Sequence, residues 1–478
     1  MANPEVVLQL KNATLSVQNR VLFSNLSMQI HSGEIVLVMG RSGVGKSSLM
    51  NVINGVYPNG DTEVQCEGLE ILGHSLLALN HLERMERTKY VRSIFQNARL
   101  SFAMETPYEE MIFVLENFCF PIETMEQKVE EQAKKYKIDD LLHRKFASLS
   151  GGELQKVAFA CASLVEAPLY LMDEPFANID EESTEYFIEQ IKRLSNEGKA
   201  ICIIDHRLDF WEWVNRWYLL EDGGELKRIE LPLKEKDKLL LEESGNLCPL
   251  PVKTKKKLED ANPLLKVEDV SVFVEKDKPL LKHIHLELHE GEMMALVGSS
   301  GSGKTSFFKA LLKQLPYTGT IELKGHSLSK VKKKELFQKV GLVFQDPTLQ
   351  FVAAKVLEEL KVTFPGEAES RLESLLEEYS LQQTKELSPW LLSQGQQRRL
   401  AFLTMTGEGK VLLLVDEPTY GQDMKNAIAI MNALQQLCQE GVACLFTSHD
   451  RRLVRQYAQK VMSIRHQTME VETNEDEN

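Results

Sequence analysis

Gly40-Arg41-Ser42-Gly43-Val44-Gly45-Lys46-Ser47 decides how this chain folds, and Gly298-Ser299-Ser300-Gly301-Ser302-Gly303-Lys304-Thr305 repeats it. Both stretches fit the phosphate-binding pattern G-x-x-x-x-G-K-[ST]. An apolar run precedes each, Ile35 to Met39 and Met293 to Val297, and reads as a buried parallel strand. A helix-forming segment follows, opening with Ser48 and Ser306, so the context is strand, glycine loop, helix. Glycines let the backbone fold around phosphate oxygens and turn its N–H groups inward. The helix that starts at the anion adds its positive dipole end. Lys46 and Lys304 can reach terminal phosphates, and the hydroxyls of Ser47 and Thr305 can hold Mg²⁺.

Working outward, further stretches occur twice in the same order. Gln96 in Ser-Ile-Phe-Gln-Asn answers to Gln345 in Leu-Val-Phe-Gln-Asp-Pro, and Leu149-Ser-Gly-Gly-Glu153 to Leu392-Ser-Gln-Gly-Gln396. Leu169-Tyr-Leu-Met-Asp-Glu-Pro175 answers to Leu412-Leu-Leu-Val-Asp-Glu-Pro418, and Ile-Ile-Asp-His206 to Phe-Thr-Ser-His449. From the signature serines to the histidines the offset holds at 243 residues, and upstream it widens to 249 and then 258. The chain is a duplicated domain with extra residues early in its first half.

Length and composition agree. A chain of 478 residues exceeds one compact core. A net charge of −14 argues against a nucleic-acid binder. Seven scattered cysteines lack a Cys-x-x-Cys pair, so neither a zinc site nor a disulfide framework is expected, and a reducing compartment fits. No signal peptide is visible at the N-terminus, and no apolar window is long enough to span a bilayer.

The expected domains are residues 1–235 and 263–470, with a proline-broken, charged linker at 236–262 and an acidic tail at 471–478. Alternating residues such as Leu26, Met28 and Ile30, and Ile284, Leu286 and Leu288, predict half-buried antiparallel strands. Charged stretches near 104–145 and 353–387 predict helices. His206 and His449 fall at the C-terminal edge of strands, where open α/β sheets bind ligands.

With these features in order, each half resembles the ATPase domain of ABC transporters, over nearly the whole chain outside the linker and tail. The resemblance implies an α/β fold of two phosphate-loop ATPase domains. Each would have a mostly parallel sheet core, an antiparallel β subdomain and a helical subdomain, and the two would pack head-to-tail as a pseudo-dimer within one chain. It also implies ATP and Mg²⁺ as cofactors.

Residue chemistry gives each motif a role. Asp173 and Asp416 end apolar strands, where a buried carboxylate needs a cation, and Mg²⁺ is the natural one. Glu174 and Glu417 beside them can accept a proton from, or orient, an attacking water. Gln96 and Gln345 resemble the family's glutamines that approach Mg²⁺ and the water while touching a membrane partner. His206 and His449 match its γ-phosphate-sensing histidine. Ser150-Gly151-Gly152 and Ser393-Gln394-Gly395 can form a second anion cradle at a helix start, which in the family binds the ATP held by the other domain's loop. Ala177-Asn-Ile-Asp180 and Tyr420-Gly-Gln-Asp423 resemble the loops joining the two sites. Singly, each residue has an ordinary structural reading: a solvated turn, a strand-end histidine or a helix cap.

Two features depart from the family. Val17 and Val274 stand where an aromatic often stacks on adenine, with Phe273 next in sequence and expected on the opposite strand face. Glu153 replaces the usual glutamine of the signature. Residues 344–360, Phe-Gln-Asp-Pro-Thr-Leu-Gln-Phe followed by Val-Leu-Glu-Glu-Leu, resemble the energy-coupling-factor importers, with Thr106-Pro-Tyr-Glu-Glu a looser version. That resemblance implies vitamin or metal-ion uptake with integral coupling and substrate-binding subunits, at the cytoplasmic face of the membrane. The fused ATPase of a sugar-type importer and a tandem protein acting on ribosomes are the alternatives.

Overall fold

The computed structural model describes the chain apart from residues 1–4, 19, 42, 77–83, 97, 177–180, 222, 245, 248–262, 276–277, 300, 406, 408, 420–421, 423 and 473–478. It divides into two compact units, Met1–Cys248 and Pro249–Asn478.

In the first unit a six-stranded sheet runs in the order Leu226–Ile229, Arg216–Leu220, Ile35–Met39, Ala200–Ile204, Leu169–Asp173, Val91–Ile94. Every neighbour pair is parallel except the first. The central strands Ile35–Met39 and Ala200–Ile204 are apolar because both faces are covered: Val36, Leu37, Val38 and Met39 are fully buried. Ile35–Met39 lies between Ala200–Ile204 and Arg216–Leu220, so the loops leaving the carboxyl ends of adjacent strands gather around the phosphate loop. An antiparallel sheet of Val6–Val17, Arg20–His31, Thr62–Gln65 and Gly68–Ile71 covers one face, with Leu8, Leu10, Leu26 and Ile30 packing among Val36 and Val38. Helices Pro107–Asn117, Ile122–Tyr136 and Gly151–Leu164 share the opposite core with Leu37 and Met39.

The second unit repeats this plan. Its central sheet runs Val340–Val343, Leu412–Val415, Ala443–Thr447, Met293–Gly298, Lys460–Arg465, Thr468–Glu472, with only the last pair antiparallel. Lys278–Leu288, Leu265–Glu275 and Tyr317–Leu323 form the antiparallel sheet. Helices Val356–Thr363, Glu369–Glu378 and Gln394–Met405 surround a cluster that includes Leu357, Leu372 and Leu400.

Two expectations change. Residues from 236, read as linker, begin a helix, Glu235–Glu243, that belongs to the first unit. Leu241 is fully buried in that unit's core, with Leu240 and Leu247 packed beside it. The charge around this apolar pair had masked it. The segment also reaches the phosphate loop: the Arg41 guanidinium donates to the Glu243 carbonyl, and Gly40 N–H donates to Asn246 Oδ1 at 3.4 Å. The last strand runs to Glu472, two residues into the expected tail, because Val461 pairs with Glu472. Phe273 is half-buried and its neighbour Val274 exposed, with register shifts in the strand pairing on either side of Phe273.

The second glutamate of each Glu-Glu pair braces the loop that follows the motif glutamine. Glu110 Oε2 accepts from Ala103 and Met104 N–H at 2.8 and 2.9 Å, and Glu359 Oε2 from Val352 and Ala353 N–H at 2.9 and 2.7 Å. Both carboxylates are buried. This gives the Val-Leu-Glu-Glu-Leu stretch a physical reason: charge-assisted bonds fix the loop's backbone.

Candidate active site

Each phosphate loop closes on its own lysine. Lys46 Nζ donates to the carbonyls of Gly40 and Arg41 at 2.6 and 2.9 Å, and Lys304 Nζ to those of Gly298 and Ser299 at 2.7 and 3.1 Å. Both lysines are buried, whereas Ser47, Gly43, Thr305 and Gly301 are exposed. The ammonium group is therefore held beneath a loop whose outer rim is open to a ligand. Gly45 and Gly303 precede the helices Lys46–Ile53 and Lys304–Leu311 at φ of 108° and 107°, a conformation that favours glycine. Val44 is buried, and Ser48 and Ser306 lie in the first turns of these helices. Ser42 and Ser300 lie outside the described residues.

The strand-end carboxylates meet the loops. In the second half Thr305 Oγ1 donates to Asp416 Oδ2 at 2.6 Å, and Thr447 Oγ1 donates to Asp416 Oδ1 at 2.7 Å. In the first half burial, opposed by a hydrogen bond from Ser47, pushes the Asp173 carboxyl up to about 6. Asp416 is raised by the same burial, against two hydroxyls. A hydroxyl and an uncompensated buried carboxylate, with the motif glutamine nearby, are hard oxygen donors of the kind Mg²⁺ takes. The residues present fit that ion.

Glu174 and Glu417 come next, at φ of 44° and 47°. This sparsely populated backbone turns both side chains from the strand toward the glutamine and histidine. Gln96 Nε2 donates to Glu174 Oε2 at 2.5 Å, and Gln345 Nε2 to Glu417 Oε2 at 3.4 Å. His206 Nδ1 lies 3.3 Å from Glu174 Oε1, and His449 Nε2 lies 2.8 Å from Glu417 Oε1. Burial alone would raise the Glu174 carboxyl and depress His206. Their mutual attraction outweighs it, lowering the glutamate and raising the histidine. Glu417 is lowered likewise, burial being outweighed by His449. These glutamates are thus ionised and oriented, which suits a group that receives a proton or aligns a water.

Sequence reading missed two residues. Thr447 serves Asp416 and also accepts from Glu417 N–H at 2.8 Å, while at the matching position Ile204 offers only its carbonyl to Glu174 N–H. Asp205 is buried; it accepts from Trp211 Nε1 at 2.9 Å and from His206 and Arg207 N–H, fixing the histidine's backbone. Ser448 takes its place in the second half, accepting from Asp450 N–H. A side-by-side reading of the strands before each histidine reveals both differences.

The signature residues open helices as expected. Ser150 caps Gly151–Leu164 in a reciprocal pair with Glu153, whose side chain accepts from Ser150 N–H at 2.7 Å. Arg144 pairs with Glu153 at 3.0 Å, so the replacement of glutamine adds a charge that is answered locally. Ser393 makes the same reciprocal pair with Gln396. Gly152 is buried, while Gly151 and Gly395 are half-buried at the helix starts. The side chain of Gln394 lies outside the described residues, as do Ala177–Asp180, Tyr420, Gly421 and Asp423.

The two carboxyls should titrate apart. Asp173 holds its proton up to about pH 6, so below that value a cation must displace it. Its raised pKa opposes folding by a cost that grows from about pH 3.8, where the unfolded carboxyl ionises, and is full above about 6, where the buried group must carry charge without a cation. With the second site disabled by Lys304→Ala, Mg²⁺-dependent nucleotide binding should weaken as pH falls through about 6. With the first disabled by Lys46→Ala, the loss should come at lower pH, because two hydroxyls stabilise ionised Asp416. Superimposable pH profiles in a titration with fluorescent nucleotide would contradict this.

Comparison with known proteins agrees with this geometry. The sequence signature of the ABC transporter family matches residues 23–177 and 281–420. A Bacillus subtilis (strain 168) protein described as "Putative HMP/thiamine import ATP-binding protein YkoD" is 34% identical, covering 92% of this chain and 86% of its own. A Streptococcus agalactiae serotype V protein described as "Putative ABC transporter ATP-binding protein SAG1633" is 28% identical, covering 94% of this chain and 87% of its own. Among solved structures, the archaeal ribosome recycling factor aABCE1 in complex with stalk protein aP1 aligns over 95% of this chain and 86% of its own, at a TM-score of 0.63 and 21% identity. That likeness is one of fold. Two family matches, one over each phosphate loop, signature and Asp-Glu pair, place this chain in the ABC transporter family as a tandem ATPase that uses ATP with Mg²⁺.

Proposed function

We propose that this chain is the ATP-hydrolysing subunit of an energy-coupling-factor-type importer. It would sit at the cytoplasmic face of the membrane and energise uptake of a vitamin-class solute through separate integral subunits. HMP/thiamine, named for the 34% identical relative, is the first candidate. The observation that carries the reading is the apolar surface at the second coupling loop. Leu349 and Val352, just after Gln345, are 70% and 72% exposed, and Trp390 and Leu391 beside the signature helix are 47% and 77% exposed. Apolar side chains held outward on a braced loop suit a partner surface. Among the described residues no helix is long and apolar enough to cross a membrane, so the spanning part belongs to other chains in this reading.

The catalytic work divides among the chain's own groups. Lys46 and Lys304 neutralise phosphate charge, and the loop backbones orient it. Glu174 and Glu417, kept ionised by their histidines, align and deprotonate the attacking water. Ser47, Asp173 and Gln96, and Thr305, Asp416 and Gln345, would hold Mg²⁺, which would supply charge stabilisation at the phosphoryl group. A phosphoryl group in transfer needs donors all round, and each loop covers one side. We infer head-to-tail completion. Ser393 and Gly395 would complete the site of Lys46, Asp173, Glu174 and His206. Ser150, Gly151 and Gly152 would complete that of Lys304, Asp416, Glu417 and His449.

Two experiments test these readings. The tagged chain, purified from detergent-solubilised membranes of its own cells, should bring integral membrane proteins with it. Leu349→Asp with Val352→Asp should lose them while ATP binding is retained. Recovery with ribosomes instead would favour the translation-factor alternative and sink the importer. For the pairing, Ser393→Arg should lower ATP occupancy at the first phosphate loop about tenfold or more. Loss confined to the second loop would rule out the crossed arrangement.

A further inference from the structure

The halves repeat at a fixed offset through the signature helix and the helix beyond the Asp-Glu strand, so each position here has a counterpart. In the first half Tyr136 receives a cation supplied by the chain itself. The Arg193 guanidinium lies 5.4 Å from the ring centroid, donates to the Tyr136 hydroxyl at 3.2 Å and pairs with Glu197 at 3.6 Å. Tyr186 and Phe187 fill the adjoining space: Phe187 is fully buried, 4.8 Å from Phe159, and Lys137 sits 5.9 Å from the Tyr186 ring.

The second half keeps the receivers and one cation, Arg399 at the position of Lys156, but replaces the other two. Tyr379 and Glu440 stand for Tyr136 and Glu197, but Gln436 replaces Arg193 and Ser380 replaces Lys137. Ala429, Ile430 and Ala433 replace Tyr186, Phe187 and Gln190. A half-open cavity of about 560 Å³ lies among these residues. That volume is within the range of small-molecule sites. Phe402 stands 6.1 Å from the Tyr379 ring, giving two aromatic walls. Burial, with the nearby charges of Glu378 and Glu440, pushes the Tyr379 hydroxyl up to about 12, so the ring is neutral; among the lining residues Glu367, Glu378 and Glu440 outnumber Arg371 and Arg399. Arg371 and Arg399 also line the cavity, which disfavours a second positive charge on an occupant.

We propose that this cavity, between helix Glu369–Glu378, the signature helix Gln394–Met405 and helix Met424–Gln439, binds a ring-bearing organic monocation. Its charge sits on Tyr379 beside Glu440, where the first half places Arg193. The aromatic faces attract a delocalised cation, and the carboxylates select charge over shape. An occupant braces the signature helix against the helix that follows Asp416 and Glu417. The site stands apart from the transport reading, because binding to the purified full chain needs no membrane partner.

Calorimetric titration with 1-methylnicotinamide and with thiamine, both ring monocations, tests this, with neutral nicotinamide as control. Each cation should bind saturably, one per chain, with Kd below about 1 mM, and nicotinamide about tenfold more weakly or worse. Gln436→Arg supplies the first half's internal cation and should weaken both cations about tenfold without lowering the thermal midpoint. Ala429→Tyr, also the first half's residue, should reduce binding by filling the space. Equal binding of nicotinamide, undiminished binding in either variant, or no saturable binding of either cation would overturn the proposal.

Discussion

A carboxylate at the buried end of a parallel strand, with a second carboxylate next in sequence, is unfavourable unless cations answer both charges. Each half meets that constraint with one ammonium group beneath the phosphate loop and one imidazole across from the glutamate. Much else around the site follows. The glycine loop must curl tightly enough to hold its lysine against two carbonyls, and the glutamate must adopt a positive φ to reach its histidine. The aspartate is left under-compensated, most clearly Asp173 at about 6, and this unfinished balance makes the position receptive to a divalent ion.

The repeats satisfy the same constraint by different means. The second half supplies two hydroxyls to Asp416, from Thr305 and Thr447, where Asp173 has that of Ser47 and Ile204 has none to add. The first half has Asp205 holding the histidine's turn, a role that Ser448 cannot duplicate with charge. The first phosphate loop is also fastened to Glu243 and Asn246 from beyond the domain's last strand. The duplicated chemistry therefore sits in two environments, and the sites need not titrate or bind alike.

Most of the site could be read from the sequence because phosphate binding and charge burial demand specific residue types at fixed spacing. Lysine six residues after the first glycine, and Asp-Glu after an apolar run, admit few other structures. The parallel core was equally legible, since strands covered on both faces carry no polar alternation. What escaped depends on partners distant in sequence. Thr447 matters only because Ala443–Thr447 pairs with Leu412–Val415 and brings its hydroxyl to the next aspartate. Glu110 and Glu359 look like surface helix residues until the preceding loop folds back onto them. Helix Glu235–Glu243 was hidden because charge surrounds the leucines it buries.

The division of labour between adjacent carboxylates is the claim on which the account turns: aspartate takes the cation, and glutamate handles the water. Glu174→Gln with Glu417→Gln keeps the size of both side chains, removes the charge and leaves one accepting oxygen of the two. Equilibrium binding of radiolabelled ATP with Mg²⁺, followed by single-turnover hydrolysis on the same sample, measures both functions at once. The account predicts near-full ATP binding with hydrolysis reduced about a hundredfold or more. Loss of Mg²⁺-dependent binding, or turnover close to that of the unsubstituted chain, would contradict it.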